Sequence, residues 1–308
     1  MTQIPQLMHA FYEQPLLMSE GLARQIDTVL QRKLSGDVFF GRQLHADFGI
    51  AMPERGRAKP SAPNAPAAIA VIPIYGMITQ HANSMGTSTD EIGAQLNAAI
   101  ASKQVDAILL DVDSPGGAVA GVPELAQRIL AAREQKPIFA FANGLMASAA
   151  YWLSAMADQI IAMPSSFVGS IGVVYVHEDH SQELAQQGVR ITTISAGKYK
   201  TEGARFMPLS ADAEAQIQAN VDRVYRWFVK AVATGRGDTQ ANVLSGYGEG
   251  RALMGEDALA AKLVDRIGTF EETVGRLATR VQRAKARGMG AAHLGRLLTL
   301  DSDLDSMT

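Results

Sequence analysis

Twice in this chain a short apolar run ends in a turn of small residues and passes straight into a helix-patterned stretch. No other feature of the sequence restricts the possible folds as much. Val105–Val112 leads into Asp113-Ser114-Pro115-Gly116-Gly117 and then a stretch with Leu125 and Ile129 on one helical face. Lys136–Ala142 leads into Asn143-Gly144, and from Met146 the pattern turns helical, with Ala150, Leu153 and Ala157 sharing a face. An earlier unit has the same form: Ile69–Tyr75 is apolar, and Ser88 with Glu91 makes a capping box ahead of Ile92, Leu96, Ala99 and Ile100. Further strands are predicted near 159, 171 and 189, with a helix near 180. Such alternation predicts a parallel α/β core with its active-site loops at the carboxyl ends of the strands. With 308 residues, 47% of them hydrophobic, the chain can bury a full core. Ser210 is then predicted to cap a long helix through Ala233, with Ile217, Val221, Val224, Phe228 and Val232 along one side and Tyr225 and Trp227 widening the stripe. That stripe suits either the core or a contact between copies.

Three of the turns carry candidate chemistry. Ser148 lies where the small-residue loop Gly144–Ala147 meets a helix, which places its hydroxyl at the positive end of the helix dipole and the Ala149 N–H within reach of a developing oxyanion. Taken alone, such a serine is more often only a helix cap. Gly116 and Gly117 follow a strand and let the backbone approach a substrate closely, as an oxyanion hole or a substrate-strand edge requires; a lone Pro-Gly-Gly is more often a plain turn. Lys200, in Ser195-Ala196-Gly197-Lys198-Tyr199-Lys200, follows the β-branched run Val189–Ile194 and has Lys198 and Arg205 nearby. A serine hydroxyl needs a base, and a lysine serves as one only where burial or neighbouring positive charge lowers its pKa. Most loop lysines are simply solvated.

In this order, with Val168-Gly169-Ser170-Ile171-Gly172-Val173 between serine and lysine, the elements resemble the signal peptide peptidase A-like family of serine–lysine peptidases, S49. The segment Gly250–Ala258, followed by Leu263-Val264-Asp265, is similar to that family's closing segment, and the likeness runs over roughly residues 68 to 280. The resemblance implies a ClpP/crotonase-like superhelical core with a C-terminal helical region. It implies Ser148 as nucleophile, Lys200 as general base, Ser170 as a hydroxyl that orients the lysine amine, and Gly116, Gly117 and the Ala149 amide as oxyanion hole. It also implies assembly into homo-oligomers and a mechanism without cofactor or metal. The start of the chain, Phe11-Tyr12-Glu13-Gln14-Pro15-Leu16-Leu17-Met18, resembles the bacteriophage capsid-maturation branch of the family. That branch implies a capsid, scaffold or portal protein as substrate, in the host cytoplasm or the procapsid.

Composition narrows the alternatives. A net charge of −3 supplies no basic field for nucleic acid, and the absence of cysteine excludes disulfides, thiolate catalysis and cysteine metal sites. No window offers about eighteen uncharged apolar residues, so no membrane anchor is expected, unlike the membrane-bound members that degrade cleaved signal peptides. His177-Glu178-Asp179-His180 is the one histidine cluster; it suits a polar corner better than the base of a Ser–His–Asp triad. A cytoplasmic quality-control peptidase, a crotonase-type acyl-CoA enzyme and a non-catalytic assembly scaffold are the competing functions. The expected organisation is an arm and linker over 1–67, including an amphipathic stretch over 20–30 and a Pro/Ala-rich linker over 53–66, then a peptidase domain over 68–283 and a tail over 284–308.

Overall fold

The computed structural model describes residues 16–18, 67–82 and 86–286. The predicted amphipathic stretch, the linker and nearly all of the tail lie outside them.

Each of the three expected strand–helix pairs forms. β1 (Leu16–Met18) is a short strand from the arm, and β2 (Ile69–Ile78) leads to α1 (Thr89–Ala101). β3 (Ala107–Ala118) leads to α2 (Val122–Ala132), and β4 (Ile138–Ala147) to α3 (Ala149–Ser154). Ser88 caps α1 with the full reciprocal box: its side chain accepts the Glu91 N–H, and Glu91 accepts the Ser88 N–H. Lys136, buried, donates its ammonium to the Ala99 and Ser102 carbonyls at 2.6 Å each, closing the other end of that helix.

β2, β3 and β4 pair in parallel, Leu109 facing Val71 on one side and Phe139 on the other. β4 then serves two partners. Its first half pairs with β5 (Gln159–Ala162), which pairs with β8 (Arg266–Ile267), while Leu145–Ala147 pairs with β6 (Phe167–Gly169). An antiparallel β7 (Ala252–Met254) completes that branch beyond β6.

Both faces of the sheet are covered, which is why its strands read as continuous apolar runs. Ile108, Leu110 and Val112 face a core shared with α1, α2, α3 and α5 (Ala211–Arg236), whereas Ala107, Leu109, Phe139 and Phe141 pack against Leu277 and Val281 of α8 (Phe270–Ala286). Trp152 of α3 stacks on Phe228 of α5 with ring centroids 4.6 Å apart. Arg236, at the end of α5, grips Asp265 with two bonds of 2.5 and 2.8 Å, and Tyr151 donates to the Leu263 carbonyl at 2.9 Å. The closing segment is thereby tied to α3. The C-terminal helical region is present, with α6 (Gln240–Gly246) and α7 (Gly255–Ala260) between α5 and α8.

Four local expectations change. β3 does not end at Val112 but runs through Asp113-Ser114-Pro115-Gly116-Gly117, expected as a turn, to Ala118, because β2 and β1 pair with it there. β4 does not stop at Asn143-Gly144 but continues to Ala147. Gly144 takes φ +114, and the Leu145 N–H finds the Asp113 carboxylate, so the strand passes through its kink with its donor satisfied. Of the strand expected near 171, only β6 forms. The strand expected near 189 does not form: Val189 and Ile191 are exposed, and Ile194 is 97% exposed. A β-branched run needs a neighbouring edge to pair with, and this one has none among the described residues. The helix near 180 is α4 (Ser181–Gln186), which buries nothing. In α5 the stripe is buried at Val224, Phe228 and Val232 but only half-buried at Ile217 and Val221, and Trp227 is half-exposed.

Candidate active site

The β4–α3 turn holds Ser148 in an unusual state. Ala147 pairs with Gly169, the Ser148 N–H donates to the Gly169 carbonyl at 2.7 Å, and the Ser148 carbonyl accepts the Trp152 N–H at 2.9 Å as α3 begins. The chain passes from strand to helix within one residue, and Ser148 adopts φ 54° and ψ −118°. A non-glycine residue held at positive φ costs about 1–3 kcal/mol and persists only where its surroundings fix it. Its side chain does not cap the helix, and the Oγ is buried without a hydrogen-bond partner. The plain helix-cap reading is therefore wrong. The strained strand-to-helix turn has the backbone shape of a nucleophile elbow, with its Oγ buried and unbonded in this state.

Ala149 is the first residue of α3 and fully buried; helix geometry leaves its N–H without an intrahelical acceptor. The end of β3 lies beside it, in register through Ser114 opposite Met146. The two glycines differ. Gly116 takes φ +102 and donates its N–H to Ser114 Oγ at 3.2 Å, and that hydroxyl in turn donates to the Gly76 carbonyl at 2.7 Å. At Gly117 a Cβ would stand 1.9 Å from the Ile78 carbonyl oxygen, so only glycine lets β2 and β3 close there. Ser170 is buried at φ 54°, its N–H bonded to the Arg251 carbonyl at 2.8 Å, directly after the Gly169 that holds Ser148.

A polar cluster lies behind this turn, and of its members only Asp113 falls inside the Asp113–Gly117 motif. Asp113 accepts the Leu145 N–H at 3.0 Å and occupies the space a Gly144 side chain would need. Asp111 accepts from the Tyr75 hydroxyl and, at 3.2 Å, from Asn143 Nδ2. The cluster links β2, β3 and β4 where they leave the core. Burial pushes the Asp111 carboxyl above its ordinary range despite both hydrogen bonds, and burial likewise raises Asp113, helped by the charge of Asp111. The Tyr75 phenol is also raised, by burial and by its bond to Asp111.

Lys200 is not brought to this turn. It is exposed, its backbone N–H donates to the Gly197 carbonyl at 3.2 Å, and Ser148 Oγ has no bond to any amine. The neighbouring Lys198 sits against Tyr199, 4.5 Å above its ring. His177 is not bonded to Ser148 either, while His180 contacts Glu178, Glu183 and Arg205 in a polar corner. Five of the six candidate residues thus belong to one locality. The sixth lies on a segment from Gly172 to Asp212 in which no residue is fully buried.

The sequence model described as peptidase family S49 matches residues 131–284 of the 308, half of the chain. The chain belongs to peptidase family S49. Among similar proteins, the head-tail preconnector protein GP5 of Enterobacteria phage P21 is 34% identical over 216 residues, covering 68% of this chain and 43% of that protein. Capsid assembly protease C of Escherichia phage lambda is 28% identical over 278 residues, covering 86% of this chain and 63% of that one. The chain thus spans about half the length of the curated relatives it matches. A solved membrane protease from Pyrococcus horikoshii, specific for a stomatin homolog, aligns over 69% of this chain and 79% of its own at 15% identity, with a TM-score of 0.42. No described helix is long and apolar enough to cross a membrane, and no group of three or more potential metal ligands occurs among the described residues.

Proposed function

We propose that this S49 chain is a serine endopeptidase that cleaves capsid, scaffold or portal proteins during phage head maturation, in the host cytoplasm or the procapsid. The observation that carries the catalytic reading is Ser148 itself: a strained, buried, unbonded hydroxyl on a strand-to-helix turn beside Gly116 and Gly117. The head-maturation reading draws on the likeness to the two phage proteins.

In the mechanism, the Lys200 amine in its neutral form takes the Ser148 proton as Oγ attacks a backbone carbonyl. The developing oxyanion is held by the Ala149 N–H and the glycine backbone at 116–117, the amine of the departing chain takes the proton from Lys200, and water hydrolyses the resulting acyl-enzyme. Ser170 steadies the lysine amine.

Lys200 reaches Ser148 only if the segment around it folds over the serine. That segment exposes Val189, Ile191, Ile194 and Tyr199, apolar surface that association of copies would cover. The active form is accordingly a homo-oligomer. A fluorophosphonate probe tests this reading: it should label Ser148 and no other serine, and labelling per chain should rise with protein concentration. Labelling spread over surface serines, or none at any concentration, rules out the peptidase.

A further inference from the structure

β3 has two edges, and their occupants differ at its carboxyl end. One edge is taken throughout by β2, to Met77 opposite Gly116 and Ile78 opposite Gly117. The other edge is taken by β4 only as far as Ser114 opposite Met146, because β4 then turns into Ser148. Beyond that point the vacated edge is filled by β1, antiparallel, with Leu16 opposite Ala118, Leu17 opposite Gly117 and Met18 opposite Gly116. The arm thus lies in the row that β4 leaves, alongside the nucleophile turn.

We propose that Leu16–Met18 is a resident occupant of a polypeptide-binding edge, a built-in competitor that excludes other strands until it is displaced. The functional half of this inference rests on the peptidase reading. An extended chain placed next to Ser148 and the 116–117 backbone could pair only along the edge that β1 now occupies, and strand addition there supplies main-chain hydrogen bonds whatever the side chains. β1 uses those bonds first. Its hold is weak by construction. It is three residues long, so few ladder hydrogen bonds hold it. Ser148 is fully buried, so a second polypeptide reaches it only after something now beside it moves. Pro15 immediately precedes the strand and lacks a ladder donor, which limits how far the pairing can extend.

The test uses the full chain carrying Ser148→Ala, with and without Leu17→Pro and Met18→Pro together. In an antiparallel ladder the N–H groups that point at the partner alternate, so prolines at two adjacent positions must remove one of them. The probe is a fluorescein-labelled peptide of residues 11–22. If β1 is docked about nine-tenths of the time, the proline variant should bind that peptide about tenfold more tightly, and the Gly116–Ala118 amides should exchange hydrogen faster in it when peptide is absent. Equal affinity in the two proteins, no binding in either, or unchanged exchange overturns the proposal. The same prolines in a chain with intact Ser148 should raise casein turnover several-fold. Binding that improves with no turnover in either protein would instead discard the peptidase reading and leave β1 as the occupant of a polypeptide edge.

Discussion

Ser148 and Lys200 occupy opposite kinds of surroundings. Ser148 is fixed from every side: β6 holds its N–H, α3 its carbonyl, Ser114 the glycine opposite, and Asp111 with Asp113 the strand tips behind. Lys200 sits in a stretch that buries no residue between Gly172 and Asp212, its helix α4 included. One half of the candidate site is thus preorganised within a single chain, and the other half lies on an exposed segment. Strain explains why the first half must be rigid: a serine at positive φ relaxes unless its surroundings hold it. The lysine half has no such demand until it meets the serine.

The largest expected effect tests whether the two halves form one catalytic unit. Ser148→Ala and Lys200→Ala should each lower peptidase turnover by about 10³-fold or more, and the double variant should be no worse than either. Lys200→Arg should be as inactive as Lys200→Ala at every pH, since a guanidinium stays charged and accepts no proton. Measurable turnover by Lys200→Arg would make the residue a fixed charge and end its role as base. A live Lys200→Ala beside a dead His177→Ala would hand the role to the histidine.

The same contrast explains what could be read from the sequence. The serine half was legible because local signals and tertiary packing agree there: Ser88 caps α1, Leu125 and Ile129 face the core from α2, and Ala150 and Leu153 do so from α3. The continuation of β4 through Asn143-Gly144 was not legible. Asn143-Gly144 has turn composition but forms no chain reversal, because Asp113 of another strand accepts the Leu145 N–H and the strand runs on. Val189–Ile194 has strand composition and forms no strand, because pairing needs an edge and composition does not provide one. The pairing of Leu16–Met18 with Gly116–Ala118 left no trace in periodicity at all, since three residues are too few to show a period. The Asp111–Tyr75–Asn143 cluster escaped because each residue alone reads as an ordinary polar position near a strand end.

A smaller effect, on stability, separates the halves independently of activity. Ser148→Gly removes the side chain that makes φ 54° unfavourable, whereas Ser148→Ala keeps the strain. Relief of about 1–3 kcal/mol, less the roughly 0.5–1 kcal/mol by which glycine favours the unfolded chain, leaves Ser148→Gly more stable than Ser148→Ala by about 1 kcal/mol. Lys200→Ala, in an exposed segment, should move stability by no more than about 0.5 kcal/mol. Urea denaturation of all three dilute proteins decides it. Equal stability of the glycine and alanine variants would mean that the turn relaxes in solution and Ser148 is not preorganised.

The smallest effect probes the polar cluster that fixes the serine half. Burial raises the Asp111 carboxyl in the folded protein above its unfolded value, so between those two values the folded state binds more protons than the unfolded one. Stability from this group is therefore fully present below the unfolded pKa, near 4, and is lost as pH rises through the raised folded value. Asp111→Asn keeps the shape and an acceptor for one of its two partners, Tyr75 and Asn143, and carries no charge to desolvate. Its stability should decline less than that of the native chain as pH goes from 4 toward 7, by an amount below about 1.4 kcal/mol per unit of pKa shift. Parallel curves for the two proteins would mean that Asp111 is no more protonated when folded than when unfolded. The strand tips behind Ser148 would then be held by its hydrogen bonds at no electrostatic expense, and the rigidity of the serine half would owe nothing to a buried charge.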